Sequence, residues 1–168
     1  NLGYDVQRDF APVAQIANLP FVLFASTVLP ANSLAEVTAY GRANPGTLNF
    51  GSTGIGSGLH LIGEMYKSQA AIDIVHVPYK GVAQALPEMM TGRVQLAFNT
   101  IPAFLPHVKA SRLKALVITA TARSPLLPEV PTAAEAGMPA LLGASWHGVL
   151  APAGTPKEVI AKLHQSLV

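Results

Sequence analysis

The sequence predicts an α/β fold in which a mainly parallel sheet is flanked by helices. Short apolar segments alternate with amphipathic ones, and Gly and Pro, 14 of each, separate them along the chain. Alternation with short connections favours parallel βαβ units over a β-sandwich. Two strand segments, 95–98 and 115–118, are almost continuously apolar, as expected for strands that helices cover on both faces.

The alternation of apolar and amphipathic segments predicts where each strand and helix lies along the chain. It predicts strands at 21–27, 48–51, 72–77, 94–98, 113–119 and 146–150. It predicts helices from 34 to about 44 and at 59–70, 82–90, 101–110 and 157–168. Ser33 is the expected cap of the first helix, and the second should turn Leu61, Ile62 and Met65 toward the core.

The predicted domain organisation follows from a change in composition after Arg123, because residues 124–137 carry three prolines. We predict that residues 25–121 form one complete α/β lobe. Residues 1–24 and 122–168 are predicted to be incomplete pieces of another domain. Because the chain opens with Asn and shows no cationic and apolar leader, we expect a processed or trimmed product.

The composition excludes several classes of protein. With 50% hydrophobic and 12% charged residues, the chain is not intrinsically disordered. Its basic residues are scattered and the net charge is only +2, so we expect no nucleic-acid partner. The longest apolar stretch, 19–31, contains two prolines and is too short to cross a bilayer. The sequence has no Cys, which excludes disulfides, cysteine-based zinc sites and thiol catalysis.

The most informative segment for function is NFGSTGIGSGLH at 49–60, which leaves a strand and enters a helix. Its glycines allow positive φ, and a helix start offers unpaired amides and a positive dipole end. It fits neither the dinucleotide-binding nor the P-loop pattern. Two interpretations stay open: an anion site, or a tight connection capped by Ser57. The candidate anion-binding residues are Ser52, Thr53, Gly54, Gly56 and Ser57.

Further candidates follow two other strands at their carboxyl ends, where open α/β sheets bind ligands. Tyr79, Lys80 and Gly81 follow the strand at 72–77, and the alternative for them is an ordinary turn. Asn99 follows the next strand and either binds a ligand or caps the helix that begins near 101.

Histidines could contact a ligand, hold a metal ion or act in catalysis. His60, in the first turn of its helix, either faces the anion or packs there, whereas His76 in its strand is interpreted as structural. No histidines have metal-ligand spacing, so we expect neither a metal nor another cofactor. Ser57 and His60 together would suit a hydrolase acting on a small carboxylic ester, but no carboxylate is placed to orient the histidine.

A series of short motifs runs through the whole chain. They are YD at 4–5, DFAPV at 9–13, NPGTLNFGS at 44–52, GIGS at 54–57 with HL at 60–61, HVPYKG at 76–81, LPHVKA at 105–110, RS at 123–124, LPEVPT at 127–132, EAG at 135–137 and APAGTP at 151–156. Together they resemble the substrate-binding proteins of tripartite tricarboxylate transporters, the Bug family.

The resemblance implies a periplasmic two-lobe clamp that captures a small carboxylate, such as a di- or tricarboxylate, and passes it to membrane subunits. It implies that the turn at 52–57 holds a ligand carboxylate, with Tyr79 to Gly81 and Asn99 beside the cleft. Relatives often carry Asp in place of Asn99, so a ligand ammonium lacks that counter-charge here. It also implies a fragment that lacks the N-terminal part and the C-terminal end of the family, with ligand-binding domain 2 at 25–121 and incomplete pieces of domain 1 at 1–24 and 122–168. Such a fragment is expected to self-associate through apolar surface, and an interaction module that binds no ligand stays an alternative.

Overall fold

The computed structural model describes residues 3–168, which fall into two units. The larger unit is Pro20–Ala144, and the smaller one joins the residues up to Leu19 with Ser145–Val168. The larger unit contains the predicted lobe, 25–121, and also the Pro-rich residues that follow it. Val130, Ala133 and Leu141 of that segment are buried in its cores.

The helices and strands agree with the predicted alternation, and apart from α1 and the start of β1 their ends differ by a few residues from the prediction. In chain order they are α1 (Val6–Asp9), β1 (Phe10–Ser26), α2 (Leu34–Ala43), β2 (Leu48–Ser52), α3 (Gly58–Ala70), β3 (Ile74–Pro78), α4 (Val82–Met90), β4 (Leu96–Thr100), α5 (Ile101–Lys109), β5 (Leu113–Ile118), β6 (Ala144–Pro152) and α6 (Lys157–Leu167). Sequence reasoning missed α1 and the first half of β1. Pro12 and Pro20 lie in β1, and proline normally argues against a continuing strand.

The strands of the larger unit have the order β3-β2-β4-β1-β5. β2 is parallel to β3 and to β4, whereas β1 is antiparallel to β4 and to β5. The α/β class with flanking helices is confirmed, and the sheet is mainly parallel: of these five strands β3, β2, β4 and β5 run in one direction, and β1 runs against them. An apolar run reports that a strand is buried and carries no information about its direction.

Helices cover both faces of this sheet. On one face Leu34 and Val37 of α2 and Tyr66 of α3 join the core. On the other, Met89 of α4 and Phe104 of α5 do so. The coverage of both faces explains the continuous apolar runs of the strands.

The buried face of α3 differs from the prediction. Ile62, Gly63 and Tyr66 are buried, but Leu61 is 59% exposed, so its inward assignment is wrong. Gly63 lies so close to Phe50 that the helix can approach the sheet only with this residue facing it. That contact orients the helix and leaves Leu61 on the outer side.

The smaller unit is built on the first part of β1, with which β6 pairs. The amide of Ala153 donates to the carbonyl of Asp9 at 2.8 Å, and Nδ1 of His164 on α6 lies 2.8 Å from the carbonyl oxygen of Val13. Across residues 3–168, every helix is too short or too polar to span a membrane.

Candidate ligand-binding site

Three parallel strands end at the same edge of the sheet and each leads into a helix. Ser52 at the end of β2 pairs with Pro78 at the end of β3, and the amide of Tyr79 donates to the carbonyl of Ser52 at 2.9 Å. β4, on the other side of β2, ends at Thr100. Because α3, α4 and α5 begin just after these strands, three positive dipole ends lie along this edge.

The loop between β2 and α3 is held by its own hydrogen bonds. Gly54 and Gly56 have φ values of +122° and +80°, which side-chain-bearing residues rarely adopt. The amide of Gly54 donates to Oγ of Ser52 at 3.2 Å, and Oγ of Ser57 donates to the carbonyl of Gly54 at 2.8 Å. The loop therefore has a defined shape.

The internal bonds decide which amides are available to a ligand. The amides of Gly54, Gly56 and Ser57 are already bonded within the loop or to His60. Within the described chain, four amides of this segment find no acceptor: those of Thr53, Ile55, Gly58 and Leu59. The free amides of Thr53 and Ile55 flank the bonded amide of Gly54, and those of Gly58 and Leu59 open the first turn of α3. They are the groups that an anion would find.

A cluster of ring side chains lies behind the loop. Nε2 of His76 is hydrogen-bonded to Oγ of Ser52 at 2.6 Å. The His76 ring centroid lies 4.1 Å from that of His60 and 4.9 Å from that of Phe50. Partial burial and the charge of His60 lower the pKa of His76, against the opposing effect of Glu64. His76 therefore fixes Ser52 as a neutral ring, a contact that sequence reasoning missed because the two residues are 24 positions apart.

The Ser57 and His60 pair considered for a hydrolase does not form. Oγ of Ser57 accepts a hydrogen bond from the backbone amide of His60 at 3.2 Å and donates to Gly54. The ring nitrogen Nδ1 of His60 accepts from the amide of Gly56 at 3.2 Å. The serine is thus a helix cap, and the histidine holds the loop backbone.

The remaining candidates divide into residues inside and outside a small cavity of about 10 Å³. Its lining consists of Gly51, Ser52, Thr53, Leu59, Val82, Ala85, Ala97, Phe98, Asn99 and Phe104. Asn99 is only 6% exposed, and its Oδ1 accepts from the amide of Thr100 at 2.8 Å. Among residues 3–168 its Nδ2 has no hydrogen-bond acceptor, so this donor is available to a ligand.

Tyr79, Lys80 and Gly81 lie outside the lining of that cavity. The Tyr79 ring covers Gly51, where a Cβ would lie 3.3 Å from the ring, and burial followed by the charge of Glu88 raises the pKa of its hydroxyl. Lys80 is exposed, and Gly81 precedes α4 without a side-chain cap. In the described part of the chain no three His, Asp or Glu side chains are grouped to hold a metal ion.

The lowered pKa of His76 makes stability depend on pH. The unfolded chain has the ordinary value of 6.5, so below it the unfolded chain binds more protons than the folded one. The contribution of His76 to stability is therefore present above pH 6.5 and lost as the pH falls through the lower folded pKa. We expect His76→Gln to flatten the fall in unfolding free energy between pH 7.5 and 5.5, measured with urea. His147→Gln, at an exposed position on β6, should keep the original slope, and an equal slope in all three proteins would contradict the assignment.

An α/β lobe with helices on both faces of its sheet and free amides at the carboxyl ends of its parallel strands is of the periplasmic-binding-protein type. Residues 1–168 match the family described as tripartite tricarboxylate transporter family receptor, and the chain belongs to this family. The resemblance given by the sequence motifs is thereby confirmed.

Two curated relatives show what share of a relative's length this chain covers. It is 38% identical to a UPF0065 protein from the tcbD–tcbE intergenic region of Pseudomonas sp. strain P51, over 98% of this chain and 49% of the relative. It is 33% identical to the protein BugT of Bordetella pertussis, over 99% of this chain and 51% of the relative. The chain spans about half the length of these proteins.

Solved structures of similar proteins include two with bound carboxylates. Rpa4515 from R. palustris, solved with adipate, is 39% identical with a TM-score of 0.89, over 99% of this chain and 56% of that chain. MatC from Rhodopseudomonas palustris, solved with malate, is 33% identical with a TM-score of 0.84, over 99% and 56% respectively. Two solved structures similar to this chain thus hold a carboxylate, adipate in one and malate in the other.

Proposed function

We propose that the protein is an extracytoplasmic receptor that captures a small di- or tricarboxylate and delivers it to the membrane subunits of a tripartite transporter. The observation that carries this proposal is the set of free amides at Thr53, Ile55, Gly58 and Leu59. The proposed location is the periplasm, and the proposed role is binding without chemical conversion. The adipate and malate bound to the similar proteins support the choice of ligand class.

The electrostatics of the edge favour an anion held by dipoles. Backbone amides at a helix start, together with its positive dipole end, form a ready anion site. The convergence of α3, α4 and α5 adds their fields at the same edge. The nearby cation, Lys80, is exposed, and its charge is therefore screened by solvent. Affinity should depend on the loop backbone more than on this side chain.

The side chain of Asn99 favours a ligand that carries a second oxygen acceptor, besides the carboxylate held by the loop. Its Oδ1 is already bonded to Thr100, which turns the side chain so that the unpartnered Nδ2 is the group left for a ligand. A donor at a buried position suits a carboxylate or hydroxyl oxygen, whereas an ammonium there would have no counter-charge. The proposed ligands are therefore plain or hydroxylated di- and tricarboxylates rather than amino acids.

A thermal-shift panel tests this ligand class. A ligand at about 100 times its dissociation constant adds roughly 2.7 kcal/mol to stability. We expect stabilisation by succinate, malate or citrate and none by aspartate or glutamate. Asn99→Asp should reverse the preference, because a carboxylate repels a second carboxylate and attracts an ammonium. Stabilisation of the original protein by aspartate or glutamate, but not by succinate, malate or citrate, would contradict the role of Asn99.

A second candidate role, self-association, is favoured by the surface of α6. No residue of this helix is buried, and Val159, Leu163 and Leu167, four positions apart, are 42–44% exposed. We propose that this apolar stripe binds a second copy of the chain, since monomers rarely expose such surface. Leu163→Glu should convert an associated species to a monomer in sedimentation experiments. A monomer at high concentration without the substitution would contradict the proposal.

A further inference from the structure

We propose that a groove beside α2 binds a monocarboxylate with an apolar tail, at a site separate from the loop between β2 and α3. The groove lies between α2, the last turn of α3 and the turn at 136–138, and its volume is about 340 Å³. Small-molecule sites have volumes of about 300–1,000 Å³, so the groove can hold a ligand of this size. The inference goes beyond the proposed function and does not depend on it, because it concerns another surface of the larger unit.

The guanidinium of Arg42 is held in a fixed position at one end of this groove. Its Nε and Nη2 both donate to the carbonyl oxygen of Ala70, at 3.1 and 2.8 Å. Ala70 is the last residue of α3, where a carbonyl has no partner within its own helix. Arginine carries five N–H donors, and the described chain engages two of them. The contact with Ala70 therefore orients the cation and leaves three donors for a ligand.

The charge of Arg42 has no counter-ion among residues 3–168. No carboxylate oxygen there lies within 4.0 Å of its nitrogens, and Asp73 pairs instead with Lys67 at 3.7 Å. Burial raises the pKa of Tyr66 to about 12, against the opposing effects of its hydrogen bond with Thr38 and of the charge of Arg42. The tyrosine hydroxyl is therefore neutral and supplies no counter-charge. A carboxylate suits the vacant donors, because its two oxygens match the planar guanidinium fork.

The rest of the groove favours an apolar ligand body. Among the described residues that line it, Arg42 is the only charged one. The two polar side chains beside it are already engaged: Thr38 with Tyr66 at 3.0 Å, and Gln69 through its Nε2 with the carbonyl of Ala140 at 3.2 Å. The apolar part of the lining is formed by Leu34, Ala35, Ala39, Ala136 and Met138. One end of the ligand should therefore be anionic and the remainder apolar.

The spacing along α2 sets the length of the ligand. Leu34, Thr38 and Arg42 follow one another at four-residue intervals, so they lie on one face of the helix. At a rise of 1.5 Å per residue, the groove follows α2 for about 12 Å between Leu34 and Arg42. An extended octanoate fits this length with its carboxylate on Arg42 and its tail toward Leu34. A dicarboxylate of similar length would place its second charge at the apolar end, which is costly.

The helix α3 separates this groove from the candidate site at the edge of the sheet. Its first turn carries the free amides of Gly58 and Leu59, whereas its last residue, Ala70, holds Arg42. The helical rise places Gly58 and Ala70 about 18 Å apart along the axis. Octanoate in the groove and malate at the loop therefore do not overlap, and malate should not compete with octanoate.

Calorimetric titration with octanoate, combined with backbone amide NMR, tests the groove. We expect saturable binding in which the amide resonances of Ala35, Ala39 and Met138 move most, with the same affinity when malate is present in excess. Octanol has the same tail without the charge and should bind at least about tenfold more weakly, since a hydrogen bond to a charged group contributes that much. Absence of saturable binding, shifts confined to α6, or displacement of octanoate by malate would each overturn the site.

Three variants locate the ligand within the groove. Ala39→Leu fills the groove from an exposed helical position, and leucine is a good helix former, so the variant should fold and lose octanoate binding. Ala43→Leu adds the same side chain to α2 outside the lining and should bind octanoate as the original protein does. Arg42→Gln keeps a donor for the carbonyl of Ala70 but carries no charge, so its affinity for octanoate should fall to that for octanol. Octanoate binding that survives Ala39→Leu would overturn the location, and full affinity in Arg42→Gln would overturn the role of the guanidinium.

Discussion

Gly54→Val and Gly56→Val are expected to abolish detectable carboxylate binding. Both positions have positive φ, where a β-branched residue is strongly disfavoured, so the loop must change its backbone to accept valine. The strain amounts to about 1–3 kcal/mol at each site. A changed backbone should misdirect the free amides of Thr53 and Ile55, which are the proposed contacts of the ligand. Calorimetric titration with malate measures the loss directly.

Two controls separate loss of the site from loss of the fold. Gly137→Val places the same residue at a similar φ of +85° in a segment away from the loop, so it should lower stability comparably and leave affinity unchanged. Lys80→Ala should weaken binding only modestly, because the lysine is exposed. Full loss of binding in Lys80→Ala, with both glycine variants unaffected, would show that a cation rather than the backbone holds the ligand.

Gly63→Ala is expected to destabilise the protein more than other single-methyl additions. A Cβ on Gly63 would lie within 3.0 Å of three carbons of the Phe50 ring, and both residues are buried. Overpacking of this kind typically costs about 1–3 kcal/mol. Since the Phe50 ring also packs on His76, the variant should weaken ligand binding as well.

Gly41→Ala is the matched control in α2. Its Cβ would meet Ile72 at 3.4 Å, an ordinary contact, and alanine favours a helix over glycine by about 0.5–1 kcal/mol. Urea unfolding should therefore show a loss of stability for Gly63→Ala and no loss for Gly41→Ala. Equal stabilities of the two variants would contradict the close packing of α3 on the sheet.

Local signals in the sequence account for most of the fold. Ser33 caps α2 as predicted, because an N-cap depends on a side chain and an amide only three residues apart. The antiparallel direction of β1 depends on the path of the whole chain, which no local pattern encodes. The exposure of Leu61 likewise follows from the contact of Gly63 with Phe50, a pairing between distant segments.

The sequence likewise predicted some features of the candidate site, whereas others required the structure. Ser52, Thr53 and Asn99 line one cavity, in keeping with the rule that strand carboxyl ends share an edge of the sheet. The bond between Ser52 and His76 depends on the register of β2 against β3, so it required the structure. The same holds for the amides, because which of them are free depends on hydrogen bonds that only the folded loop defines.

Backbone amide NMR during titration with malate tests the central claim most directly. The claim is that a carboxylate is held by the free amides of the loop and of the first turn of α3. It predicts that the amide resonances of Thr53, Ile55, Gly58 and Leu59 move most, together with the side-chain amide of Asn99. Saturable binding in which these resonances stay fixed, and those around Lys80 or α6 move instead, would contradict it.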